Sequence, residues 1–203
     1  KLLILSDNRF RPDNSIDFPD SNSTQSEVDI ENGREGNVLF VNGQIRPSIP
    51  MRTGEVQRWR VINASAARVY RLAIPGQTML HVGSEDGLFE HAGDTDEILV
   101  VNSERVELLI RGTAKPGSNL QLTDLPYDRY MPQTRPADWN TSRALLDLHY
   151  SDRVMPAPVT LPKTFRVVPA LDTATATVTR TVVLSQGLIN GRTMDMSRVD
   201  MPA

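Results

Sequence analysis

Three histidines, seven methionines and no cysteine limit the chemistry open to this 203-residue chain. Without a thiol there is no disulfide, no thiolate nucleophile and no metal site built on a thiolate. His81, His91 and His149 form no His-x-His pair, so a metal would have to recruit single ligands from separate strands. Each reads first as a structural or surface histidine. Glu85, Asp86, Asp94, Asp96 and Glu97 offer oxygen ligands to a hard cation, but they lack the regular spacing of a calcium loop and read as a solvated loop. Arg58, Arg60, Arg68 and Arg71 suit an anion site. They also alternate with Trp59, Val61, Tyr70 and Leu72, which favours the outer face of a sheet or an interdomain surface. Asn22-Ser23-Thr24, Asn63-Ala64-Ser65 and Asn140-Thr141-Ser142 have the form of glycosylation acceptors.

The elements that must position these residues are strands. Val69 to Ile74 sets Tyr70, Leu72 and Ile74 on one face and Arg71 on the other. Arg105 to Arg111 aligns Val106, Leu108 and Ile110. Arg143 to Tyr150 groups Ala144, Leu146, Leu148 and Tyr150 against Arg143, Asp147 and His149. A period of two marks half-buried strands. Further strands are expected at 1–6, 38–41, 56–62, 79–82, 97–101, 120–122 and 179–184. No stretch carries a capped helical period. Many short strands between turn residues point to an antiparallel sandwich or barrel.

Hydrophobic residues make up 39% of the chain, far from a disordered composition, and the net charge is −3, which argues against a nucleic-acid partner. No apolar run approaches the roughly 18 residues of a membrane span. Lys1 leads straight into Leu2-Leu3-Ile4-Leu5, and the chain reads as cut from something longer. Residues 11–36 are polar and turn-rich, a hairpin excursion or loop insertion. Residues 152–178 carry several prolines and the run Thr173-Ala174-Thr175-Ala176-Thr177, the composition of a linker. The expected organisation is a domain over 1–151, a Pro/Thr-rich interdomain linker over 152–178, and the opening of a further domain over 179–203. The last part rests on a weak repeat: Leu188-Ile189-Asn190-Gly191-Arg192 echoes Phe40-Val41-Asn42-Gly43-Gln44.

Several of these residues also carry a resemblance. Phe40-Val41-Asn42-Gly43 with Pro47 resembles a "VNG…P" strand and turn. Gly54-Glu55, Arg58-Trp59-Arg60-Val61-Ile62-Asn63-Ala64-Ser65, Arg68 and Tyr70 resemble "GE..R.R..NAS". Asp86-Gly87 is similar to a "DG" turn, Asn102-Ser103-Glu104-Arg105-Val106-Glu107 to "PGERAE", and Leu125-Pro126-Tyr127-Asp128-Arg129 to "LPYDR". Ile189-Asn190-Gly191 with Asp195 resembles the entry to a further domain. In this order the motifs resemble the middle domain of a three-domain multicopper oxidase of the bacterial laccase type. Asn102-Ser103 departs from the family's Pro-Gly, and the insertion before Gly36 is unusual.

The resemblance implies an all-β, cupredoxin-like Greek-key β-sandwich, in a periplasmic or extracellular protein. It implies copper in the parent protein and none in this chain. Type 1 copper takes a cysteine and two histidines, often with a methionine. The family's oxygen-reducing cluster takes His-x-His pairs, and both centres belong to the first and third domains. Those two domains are the expected partners. The parent would couple one-electron oxidation of phenols, amines or metal ions to oxygen reduction, with no catalytic residue here and a structural role for this domain. Met194, Met196 and Met201 are weak candidates for soft copper. Asn37 matches a position where some laccases set an acid facing the reducing substrate; its amide can hydrogen-bond a phenol but cannot take its proton. A copper-free relative acting as a binding or scaffold protein is the alternative, and the histidines and cysteine of the flanking sequence discriminate. An unrelated adhesion-type sandwich would be told apart by its fold.

Overall fold

Alternation of inside and outside is regular over residues 48–53, 56–63 and 146–150. In the computed structural model, which describes residues 1–18, 29–30, 33–129, 139–157, 159–185 and 187–193, thirteen strands run in order. They are β1 (Leu2–Asn8), β2 (Val38–Val41), β3 (Ser48–Thr53), β4 (Val56–Asn63), β5 (Tyr70–Ala73), β6 (Met79–Ser84) and β7 (Gly87–Thr95). There follow β8 (Glu97–Val100), β9 (Arg105–Arg111), β10 (Asn119–Asp124), β11 (Arg143–Val154), β12 (Leu184–Ser185) and β13 (Leu188–Ile189). Among the described residues no helix is long and apolar enough to cross a membrane.

Two compact units emerge, Lys1–Val168 and Pro169–Ala203; the division falls within the stretch expected to be a linker. The first unit is a sandwich of a six-stranded sheet, β2-β1-β4-β9-β6-β7, and a five-stranded sheet, β3-β11-β10-β5-β8. Pairing is mixed, not wholly antiparallel as the strand pattern suggested: β1–β4 and β3–β11 are parallel. Parallel neighbours need crossovers, and here the chain supplies them by passing between sheets. Leu3, Leu5, Met51, Trp59, Tyr70, Leu72, Leu108, Leu122, Leu148 and Tyr150 fill the space between the sheets, each 2% exposed or less. Each large side chain so buried contributes about 1.5–3 kcal/mol. The indole N–H of Trp59 is satisfied by Gln57 Oε1 at 3.0 Å.

Three local features depart from the sequence pattern. The ladder between β10 and β11 shifts register at Leu122/Thr123, so Leu145 is an extra residue on β11. Leu145 is consequently buried, and Ala144, expected on the core face, is only half-buried. β3 was not expected; it holds Pro50, yet as the edge of its sheet it loses no ladder bond there. β7 was not expected either, because its residues show no apolar face.

In the second unit the strand expected over 179–184 is reduced to Leu184–Ser185. The hairpin it makes nonetheless repeats the first one. Asn42 and Gly43 have φ of 52° and 75°, Asn190 and Gly191 52° and 73°, the paired positive values of a type I′ turn. Asn42 Oδ1 accepts Ile4 N–H at 2.8 Å, and Asn190 Oδ1 accepts Val183 N–H at 2.8 Å. Leu5 pairs with Val41 as Leu184 pairs with Ile189.

Candidate functional site

The motif Asn63-Ala64-Ser65 builds a knot that no glycan can reach. Asn63 is fully buried; its Nδ2 donates to Arg68 O at 2.7 Å and Val100 O at 2.9 Å, and its Oδ1 accepts Ser65 N–H at 2.9 Å. Ser65 Oγ and the Tyr70 hydroxyl lie 2.9 Å apart. Burial raises the Tyr70 phenol above its ordinary range, so it stays protonated. Asn140, by contrast, sits exposed in a turn, while Asn22 lies outside the described residues.

The knot aims Arg68 inward, where it is 4% exposed. Its Nε donates to Asp7 Oδ2 at 3.0 Å and its Nη2 to Gly36 O at 2.7 Å. Nη1 lies 3.3 Å from Glu35 Oε2 and 3.7 Å from Asp124 Oδ2. Arg129 approaches Glu35 from the segment after β10, at 3.1 Å. Gly36 N–H donates to the same Asp7 oxygen at 2.6 Å. A Cβ at Gly36 would fall 2.4 Å from the backbone of Asn8, so only glycine fits there. Burial pushes the Asp124 carboxyl up to about 6, against the pull of the Arg71 amide, Arg68 and Arg143. Burial also opposes the charge on Arg68, but Glu35 and Asp7 outweigh it and hold the guanidinium protonated.

The other arginines of the group stay outside. Arg58 and Arg60 on β4 pair with Glu107, and Arg71 grips Glu97 through two contacts of 2.7–2.8 Å. Arg68 therefore departs from the outer-face reading. The signal was present: Arg68 shares the parity of Tyr70, Leu72 and Ile74, and Arg71 does not.

Asn37 lines a shallow depression of about 320 Å³ with Arg9, Phe10, Arg11, Pro12, Asp17, Glu35 and Gly36. Its amide clamps Phe10, accepting from N–H and donating to C=O, both at 2.9 Å. Against the described residues, one lone pair and one amide hydrogen remain unused.

The metal candidates are dispersed. His81 on β6 hydrogen-bonds Gly83 O and packs edge-on against Phe89; His91 on β7 bonds Lys163 O; His149 on β11 bonds Asn119. The acidic residues divide into separate partnerships: Glu85 with Arg105, Glu97 with Arg71, Asp96 with Thr78. Among the described residues no group of three or more His, Cys, Asp or Glu could hold a metal ion. With no cysteine, the chain cannot supply the thiolate of a type 1 copper site. Met194, Met196 and Met201 lie outside the described residues.

A family model described as multicopper oxidase matches residues 15–150. The laccase of Bacillus subtilis (strain 168) is 27% identical over 127 residues, 60% of this chain and 25% of its own length. A multicopper oxidase of Staphylococcus epidermidis is 29% identical over 100 residues, 49% of this chain and 22% of its own. The chain thus spans about a quarter of the length of the curated relatives it matches. Among solved structures, a multicopper oxidase from Campylobacter jejuni described as a metallo-oxidase superposes with TM-score 0.67 at 31% identity, over 85% of this chain and 33% of that one. The McoA multicopper oxidase of Aquifex aeolicus, as its 2F4 variant, gives 0.73 at 23% identity over 94% and 40%, a likeness of fold that bears out the cupredoxin-like sandwich.

Proposed function

The chain belongs to the multicopper oxidase family, and from that premise we propose that it is the middle cupredoxin domain of such an oxidase with the opening of the third. The parent couples one-electron oxidation of phenols, amines or metal ions to reduction of oxygen. It resides in the periplasm or outside the cell. This chain contributes no copper ligand. Its part is to space the first and third domains so that the copper centres form between and within them, and to lend the Asn37 depression to the substrate side.

One observation carries the reading. The family match over 15–150 falls on a sandwich that is built from strands in the family's motif order yet has no cysteine. The repeated hairpin supports the opening of a further domain, since Val182, Leu184 and Ile189 stand where Leu3, Leu5 and Val41 stand in the first unit.

Replacing His81, His91 and His149 together by alanine in the full-length protein tests the assignment. Copper content by elemental analysis and the visible absorption should both be unchanged. Loss of copper or of the blue band in a folded variant would overturn it.

A further inference from the structure

We propose that Asp124, acting through Arg68, is an acid-tightened latch on the Glu35–Asn37 arm. This goes beyond the reading above and does not depend on it. Two nitrogens of Arg68 are committed, Nε to Asp7 and Nη2 to the Gly36 carbonyl. Only Nη1 is contested, by Glu35 at 3.3 Å and Asp124 at 3.7 Å. Two like charges sharing one donor in a buried place repel, and each weakens the other's hold.

The surroundings of Asp124 bias this contest. From β5 the Arg71 amide donates to Oδ1 at 3.1 Å. From β11 Arg143 faces it across the ladder, and Arg68 and Glu35 face it from their own segments. Tyr70 on β5 and Asp7 on β1 stand close by, with the Tyr70 hydroxyl occupied by Ser65 and Asp7 bound by Arg68. Arg129 serves Glu35. Burial makes Asp124 a group that takes up a proton near pH 6. Once neutral, it leaves Nη1 to Glu35 alone. The arm is then drawn in by Arg68 on Gly36 O, Asp7 on Gly36 N–H, and Arg68 with Arg129 on Glu35. As pH rises the contest resumes and the arm loosens, with Asn37 and the depression it lines next along the chain.

Hydrogen–deuterium exchange of the full-length protein tests this, with protection of the Glu35–Asn37 amides corrected for intrinsic rates. Protection should rise about threefold or more between about pH 7.5 and about pH 5. Asp124→Asn should show the acid-level protection throughout. Glu35→Gln, which ends the contest from the other side, should also be flat, and serves if the first variant does not fold. A flat wild-type response, or a rise that survives in either folded variant, would overturn the latch.

Discussion

Arg60 and Arg68 belong to one short stretch of chain and have opposite fates. Arg60 leans across the outer face of the six-stranded sheet toward Glu107, its side chain 60% exposed. Arg68 is enclosed among Asp7, Glu35, Asp124 and the Gly36 carbonyl. An exposed pair gains little because water screens it, whereas a buried charge that loses its partners has no solvent to turn to. The same residue type is therefore ornamental in one place and structural in the other.

Substitution should separate the two most widely at the guanidinium itself. Arg68→Met is expected to cost about 3–5 kcal/mol by chemical denaturation, because it strands three carboxylates, against about 0–1 kcal/mol for Arg60→Met. Comparable losses would erase the distinction.

The next effect is pH dependence. Asp124 has its folded value raised from 3.8 to about 6, so its stabilising contribution is fully present below the ordinary value and is lost as pH rises through about 6. A shift of that size corresponds to at most about 3 kcal/mol. The denaturation midpoint should fall between about pH 4 and about pH 7 more steeply in the wild type than in Asp124→Asn. No such change is expected on the Arg60 side.

Tyr70→Phe removes one partner of Ser65 in the knot beneath Arg68 and should cost about 1–2 kcal/mol, read from the same denaturation curves. Smallest of all, Glu107→Gln should cost about 0–1 kcal/mol, and high salt should remove that cost while leaving the Arg68 loss in place.

How far the sequence alone reached follows the same physics. β2 and β9 were legible to the residue, and β1, β4, β5, β6, β8, β10 and β11 to within a few, from period-two patterns or short apolar runs bounded by turn residues. β7 prints none, being half-exposed along its length, and Pro50 reads against a strand unless the strand is known to lie at an edge. The bulge at Leu145 is invisible because it is a property of the pairing between β10 and β11. The repeat of Asn42-Gly43 in Asn190-Gly191 was legible, since a type I′ turn demands those residues. Arg68 was legible by parity but not its company: Asp7, Glu35 and Asp124 arrive from three distant parts of the chain, and only the closed sandwich brings them together. Asn37 was legible as a position; that its amide clamps Phe10 was not.

Among the described residues no further strand pairs the outer edge of β7. Residues from the Pro-rich stretch lie along it instead: Phe165 N–H donates to Glu90 O at 2.9 Å, and Lys163 O meets His91. An open strand edge is a template on which another chain can assemble, and a segment lying along it covers that template. A protein nicked between Met155 and Lys163 is expected to expose this edge and to scatter more light than the intact one.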